Sequence, residues 1–260
     1  VHARSRAPAW SCYLATKFTF RKFVTTFHGT YNFSSKIKKF YNSVMVRSDL
    51  VIAGSNFIFS HISKNYSNFF EKKNRKLLVV FRGINTEYFN PKKVSISKSQ
   101  KLYKDWKLEI DKNKFIILLP GRLTNWKGQK IFIEALNLLN SKENKKGFIG
   151  IILGSEQGRN IYKKQLVALI QQYRLNQIIK FVDSCDEMPI AYSIANFVVS
   201  ASVEPEAFGR VSVEAQSMCK PIVASDLGGS KETIINEKSG YLFEPGNPNA
   251  LTETLYKLMN

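Results

Sequence analysis

Short apolar runs that each stop at a glycine-bearing turn recur along this chain, and that alternation is what most limits its fold. Val24-Thr25-Thr26-Phe27 stops at His28-Gly29-Thr30, and Leu50 to Ala53 stops at Gly54-Ser55. Leu77 to Phe81 runs into Arg82-Gly83-Ile84-Asn85, Phe115 to Leu119 into Pro120-Gly121, and Phe148 to Leu153 into Gly154-Ser155. Between such runs lie stretches with helical spacing: Ser34 to Arg47, Phe57 to Phe70, Gln129 to Leu139, Tyr162 to Tyr173, Met188 to Ile194, Val211 to Met218 and Ala250 to Leu258. Further strands are expected at Ile178 to Val182, Phe197 to Ser200 and Pro221 to Ala224. Strands alternating with helices imply an α/β fold with parallel sheets joined by right-handed crossovers. At 260 residues the chain is long for one domain, so two α/β units are expected. The polar, Lys-rich stretch 92–114 reads as a linker plus a helix. A boundary near residue 95 divides the chain into 1–95 and 96–260.

Charge separates the two halves. Residues 1–110 hold 21 Lys and Arg against 5 Asp and Glu, a surplus of +16; residues 111–260 hold 18 against 15. So basic a first half suits an acidic acceptor, an anionic membrane surface or nucleic acid. Phe57, Phe59, Ile62, Tyr66, Phe69 and Phe70 interleave with Lys64, Lys72, Lys73, Arg75 and Lys76, which fits an amphipathic element lying on anionic lipid. The plainer alternative makes the aromatics core and the lysines solvated. For nucleic acid there is charge but no recognised motif. No run approaches 18 apolar residues, so a membrane-spanning helix is not expected. The opening VHARSRAPAW lacks the apolar stretch of a signal peptide and lacks an initiator Met, which suggests a chain that starts inside a longer protein. Cys12, Cys185 and Cys219 have neither disulfide-framework nor metal-ligand spacing, and a reducing cytoplasm fits them.

Ligands of open parallel sheets sit beyond the carboxyl ends of the strands, and the chemically able residues gather there. Arg122 and Lys127, after the run Phe115 to Leu119, would be two cations facing one pocket, suited to a diphosphate leaving group; the alternative is a pair of solvated loop charges. Glu206 and Glu214 stand eight positions apart around Ala207-Phe208-Gly209. One acid lies in a loop leading to a helix N-terminus, where free N–H groups favour an anion. The other lies in the first helical turn or so, where it can accept from hydroxyls. Such a ligand is anionic at one end and rich in hydroxyls at the other, as a nucleotide sugar is. Gly154, and Ser184 in the connection Val182 to Glu187, are candidates for the nucleotide pocket, although each also suits an ordinary turn. His28 ends a strand and precedes Gly29, where a histidine is more often structural than functional. Arg4 and Arg6 are expected in an acceptor-side loop or in solvent.

Taken in order, Pro120-Gly121-Arg122-Leu123 with Lys127-Gly128, Glu206 to Glu214, Pro221-Ile222-Val223-Ala224, Gly228-Gly229 with Glu232, and Gly240-Tyr241-Leu242 resemble the retaining glycosyltransferases of the GT-B fold, family 4 (glycosyl transferases group 1). His28-Gly29 and Arg82-Gly83-Ile84-Asn85 with Phe89 and Pro91 extend the likeness into the first half. The resemblance implies two Rossmann-like domains facing a cleft, with a nucleotide-diphosphate sugar, UDP-linked by expectation, as co-substrate and no other cofactor. It implies that Arg122 and Lys127 bind the diphosphate. Glu206 would hold donor-sugar hydroxyls, the backbone of Phe208 and Gly209 would approach sugar and phosphate, Glu214 would take the ribose hydroxyls, and His28 would reach the donor sugar near the reacting carbon. No metal is implied, in keeping with the lack of an Asp-x-Asp site. The family's N-terminal strand, its glycine-rich loop and its last helices have no counterpart here, so the first domain is expected to be incomplete. The activity implied is sugar transfer to a glycan or lipid-linked acceptor in cell-envelope, lipopolysaccharide-like biosynthesis. The expected location is the cytoplasm, at the inner face of the plasma membrane as a peripheral protein. The alternatives are a nucleotide-sugar epimerase or phosphorylase of the same fold, and a non-catalytic basic binding module or inactive fragment.

Overall fold

The computed structural model describes residues 1–31, 35–71, 75–108, 113–143, 145–158 and 160–260. The chain forms two compact units, one of Val1–Gly83 with Pro205–Phe208 and one of Ile84–Glu204 with Gly209–Asn260.

The first unit holds a four-stranded parallel sheet in the order β1 (His2–Ala3), β2 (Val24–Phe27), β3 (Leu50–Ala53), β4 (Lys76–Val79). Val24 pairs with Leu50 and Phe27 with Ala53, so β2 and β3 stay in register over four residues. The helices are α1 (Arg6–Thr19), α2 (Lys36–Asn42), α3 (Asn56–Tyr66) and α4 (Asn68–Glu71). Ser55 caps α3 by accepting from Ile58 N. Ile58, Ile62 and Tyr66 recur at helical spacing on one face of α3 and join Phe27, Val51 and Met45 in the core.

Three expectations change here. The stretch read as one helix from Phe57 to Phe70 is two, divided at Ser67, and the one from Ser34 to Arg47 is α2 followed by a 3-10 turn at Ser43–Val46; Ser34 itself lies outside the described residues. Arg6 is the first residue of α1 rather than part of a loop, and it donates to Asn42 Oδ1 at 3.0 Å. The aromatic stripe offered to a membrane is turned inward: Ile62 and Tyr66 are buried, while Phe57, Phe59, Phe69 and Phe70 pack against the core. Burying apolar area in the protein core removes it from any lipid contact. Lys72 and Lys73 of that pattern lie outside the described residues.

The second unit holds a six-stranded, wholly parallel sheet. Its strands are β5 (Lys114–Pro120), β6 (Gly147–Leu153), β7 (Ile179–Val182), β8 (Phe197–Ser200), β9 (Ile222–Ser225) and β10 (Tyr241–Phe243). They lie in the spatial order β10-β9-β8-β5-β6-β7. Starting from β5, the first three strands run outward one way and the next three the other, which is the 3-2-1-4-5-6 order of a doubly wound Rossmann sheet. The reversal lies where β5 pairs with β8, Ile117 against Phe197 and Leu118 against Val198.

The unbroken run Phe115–Leu119 suits a strand covered on both faces. Ile117 and Leu119 join a cluster with Phe132 and Leu136 of α6 (Gln129–Asn140) and Leu251 and Leu255 of a C-terminal helix, Pro248–Met259. Ile116 and Leu118 point to the opposite cluster with Tyr192, Ala215 and Met218. That cluster includes Phe89, whose carbonyl accepts from Ser217 Oγ at 2.7 Å. Residues 84–95, expected with the first unit, therefore pack in the second.

Candidate functional site

The turn after β5 sits at the strand reversal and is fixed from several sides. Gly121 N donates to Leu153 O at 2.8 Å and Leu123 N to Ser155 O at 3.1 Å, tying this turn to the one after β6. Leu123 is fully buried and anchors the turn in the core. Gln129, also fully buried, donates from Nε2 to the Arg122 carbonyl at 2.9 Å, and its Oε1 accepts from Tyr162 Oη at 3.3 Å. The Arg122 side chain is exposed, and no described residue pairs with its guanidinium. The stem of Lys127 runs alongside Gly121, and its ammonium lies 4.4 Å from the centroid of the Trp126 ring. Thr124 Oγ1 is buried without a hydrogen-bond partner among the described residues.

Gly128 sets how near this turn comes to the one after β8. Its φ is +72°, and a Cβ added there would lie 1.8 Å from the Ala201 carbonyl oxygen, so only glycine fits. Val203 N donates to Trp126 O at 2.8 Å in the same place. Lys127-Gly128 is thereby locked against the loop leading from β8 toward the acids. After β6, Gly154 N donates to Val182 O at 2.8 Å, which sets Gly154 beside the carboxyl end of β7, where exposed Ser184 follows.

After β8 the chain runs through buried Ala201 and Ser202 to α9 (Arg210–Ser217). Gly209 caps α9 in the left-handed region at φ +80°, with Ser230 Oγ and Thr233 Oγ1 each 3.3 Å from where a Cβ would sit. Glu214 is the fifth residue of α9, just past the first turn, and 7% exposed. One carboxylate oxygen accepts from Tyr192 Oη and the other from Arg210 Nη2, both at 2.8 Å. Two donors leave a carboxylate with acceptor capacity for hydroxyls. The two acids fall in different units, since Pro205–Phe208 groups with the first. There Ser55 Oγ donates to the Ala207 carbonyl at 2.5 Å, and Phe208 is buried.

In the first unit His28 closes β2. Its Nε2 accepts from Arg4 Nε at 3.1 Å, and its Nδ1 is buried with no hydrogen-bond partner among the described residues. Burial, aided by the charges of Arg82, Arg4 and His2, lowers its pKa to about 4, so the ring is neutral at pH 7.

Sequence reasoning placed Arg122, Lys127, Gly154, Ser184 and His28 at strand ends, and the structure puts each at the carboxyl end of a parallel strand. It missed the residues that hold them. Gln129 and Tyr162 brace the Arg122 carbonyl, Tyr192 and Arg210 engage Glu214, and Arg4 binds His28. A glutamine opening the helix directly after Gly128 was the one local signal for Gln129; Tyr162, Tyr192 and Arg4 are not marked by any local pattern.

A doubly wound sheet with two cations at its switch point places this chain among the doubly wound α/β proteins, whose ligands sit at that point. The sequence model described as "Glycosyl transferases group 1" matches residues 100–260, and that for "Glycosyltransferase Family 4" matches residues 1–88. The chain belongs to the glycosyl transferases group 1 family. It is 31% identical over 136 residues to a D-inositol 3-phosphate glycosyltransferase of Jonesia denitrificans, covering 51% of this chain and 32% of that protein. A solved glycosyltransferase from Rickettsia africae is 38% identical, with a TM-score of 0.85 over 99% of this chain and 65% of that one. Anabaena Alr3699/HepE, solved in complex with UDP and glucose, is 24% identical and shares the fold, with a TM-score of 0.84 over 98% and 67% of the two chains. The chain thus spans about a third of that curated relative and about two thirds of the solved proteins. Two parallel α/β units are the architecture of the GT-B glycosyltransferases. Among the described residues no helix is long and apolar enough to cross a membrane.

Proposed function

We propose that this chain belongs to a glycosyltransferase that moves a sugar, with retention of configuration, from a nucleotide-diphosphate sugar to a glycan or lipid-linked acceptor of the cell envelope. The observation that carries the reading is the β5 turn. It presents Arg122 and Lys127 at the strand reversal and is clamped by Gln129 and by the Gly128–Ala201 approach. Cations fixed in advance stabilise the charge that develops on a departing diphosphate at little reorganisation cost. On this reading they do so without a metal ion. UDP is the proposed nucleotide, in line with the UDP complex of the HepE protein.

Glu206 would then hold donor-sugar hydroxyls, with the Phe208 and Gly209 backbone beside sugar and phosphate, and Glu214 would accept from the ribose. Gly154 and Ser184 would line the nucleotide pocket, and His28 would donate to an oxygen near the reacting carbon. The basic first unit favours an acidic acceptor or an anionic membrane face as the place of work.

The test is an assay of the full-length protein with UDP-, GDP- and ADP-sugars, with and without chelator. Transfer to an envelope glycan that survives chelation, and is abolished in both Glu206→Gln and Lys127→Ala, is the expected result. Donor epimerisation or phosphorolysis without transfer would replace the reading, and undiminished turnover in both variants would remove this site.

A further inference from the structure

Glu214 is gripped from two sides by donors that have no task in the reaction as described so far. Tyr192, in the helix Met188–Ile194, is fully buried in the cluster that holds Ile116, Leu118 and Met218. Its ring meets that of Phe89 edge-on, with centroids 6.0 Å apart and planes at 71°. From this buried side its hydroxyl donates to Glu214 Oε2 at 2.8 Å. Arg210, one turn earlier in α9 and exposed, donates from Nη2 to Oε1 at 2.8 Å. The helix itself is tied down further along. Ser217 Oγ donates to the Phe89 carbonyl at 2.7 Å, and Gln216 Nε2 to the Thr233 carbonyl at 2.8 Å. The carboxylate thus stands on an anchored helix, with one donor on each of its oxygens.

We propose that Tyr192 and Arg210 are positioning residues, which orient the Glu214 carboxylate so that it selects ribonucleotides over their deoxy counterparts. The proposal rests on the reading of Glu214 as the acceptor of ribose hydroxyls. A carboxylate has about four lone-pair sites, and one donor on each oxygen leaves room for one more on each. A cis-2′,3′-diol offers two adjacent O–H donors that match those two places as a pair. The terminal torsion of a free glutamate is broad, so an unheld carboxylate would lose rotational freedom on meeting the diol. Fixing its plane beforehand removes that cost. Tyrosine suits the buried oxygen, because its ring fills apolar space while its hydroxyl supplies the O–H donor. Phenylalanine would fill the same space and leave that oxygen facing the cluster without this donor. Both residues act through Glu214.

The test is calorimetric titration of the full-length protein with UDP, GDP and ADP, each compared with its 2′,3′-dideoxy form. The wild type is expected to bind its cognate ribonucleotide roughly tenfold or more tighter than the dideoxy form. In Tyr192→Phe that preference should fall by roughly five- to tenfold, through weaker ribonucleotide binding alone. The dideoxy form reports the diphosphate contacts, so its unchanged affinity also shows an intact fold. Arg210→Gln, at the surface, should narrow the preference by about two- to fivefold, since an exposed pair holds less firmly. Added to Glu214→Ala, neither substitution should alter the preference further, because the group they orient is gone. Equal losses for both nucleotide forms in Tyr192→Phe would make it a packing residue and overturn the proposal, as would an undiminished preference in both single variants. If Tyr192→Phe does not fold, an undiminished preference in Arg210→Gln is enough to overturn it. A wild type that binds the two forms equally would take the ribose from Glu214, and the proposal with it, while leaving the transferase reading in place. Binding of no nucleotide at all would remove both.

Discussion

Arg122 and Lys127 leave the same turn but are held differently. The Arg122 backbone is pinned through its carbonyl by buried Gln129, while its guanidinium stays in solvent. Lys127 is ordered along its stem by Gly121 and at its head by the Trp126 ring. A charge ordered before the ligand arrives loses less entropy on binding it. Lys127→Ala is therefore expected to lower donor kcat/KM by about 10²–10³-fold with unchanged circular dichroism, as loss of one preorganised transition-state donor does. Arg122→Ala should fall in the same direction, and steady-state kinetics on the donor compares the two. His28 adds a prediction about pH. Its folded pKa of about 4 lies below the usual 6.5, so the unfolded chain binds the proton first as the pH falls. Its contribution to stability is present above pH 6.5 and is lost between 6.5 and 4. Urea titrations at a series of pH values should show that acid limb flattened in His28→Gln, and a wild-type slope retained in the variant would refute the assignment.

Among the elements, the turn joining β5 to α6 depends most on one residue. Gly128→Ala must place a methyl group 1.8 Å from the Ala201 oxygen at a positive φ. Left-handed strain and overpacking together are expected to cost roughly 2–5 kcal/mol, read as a lowered denaturation midpoint. A neutral effect would mean that the β5 and β8 loops are not locked together. Glu214 is the parallel case within α9. Glu214→Ala removes the carboxylate that accepts from the Tyr192 hydroxyl beside the apolar cluster around Met218 and should cost about 1–3 kcal/mol, whereas Glu214→Gln keeps that acceptor and should cost less. How far such elements can be read from sequence depends on what forms them. β2, β3, β8 and the helix Met188–Ile194 coincide with their expected bounds because compact apolar runs end in strong turn signals. By contrast α1 left no readable stripe: it buries only Ala9 and Thr16, while Leu14 and Phe18 are exposed, so its apolar residues do not mark its inner face. β10 is three residues long and becomes a strand only by pairing with β9. The candidate cations were legible because they follow strands. The Gly128–Ala201 approach and the Arg4–His28 bond join residues far apart in the chain, and no local pattern encodes them.

For the molecule as a whole, charge sets the two units apart. The first carries fifteen Lys and Arg in residues 1–83 against Asp49 and Glu71, and it sets Arg4 against His28 at strand ends. The second carries a nearly balanced charge over a two-faced apolar core, with Arg122 and Lys127 at the switch point of a doubly wound sheet. Recognition of the donor's diphosphate should therefore reside in the second unit. A ligand that binds only the folded state stabilises it by RT ln(1 + [L]/Kd), about 2.7 kcal/mol at a hundredfold excess over Kd. For a unit of this size that is a rise in melting temperature of roughly 5–10 °C. UDP and its cognate sugar conjugate should both produce it, since the diphosphate is the part the cations hold. Lys127→Ala should shrink the shift with either ligand, while Arg4→Gln, in the first unit, should leave the UDP shift in place. A UDP shift lost in Arg4→Gln and kept in Lys127→Ala would reverse the assignment of donor and acceptor to the two units.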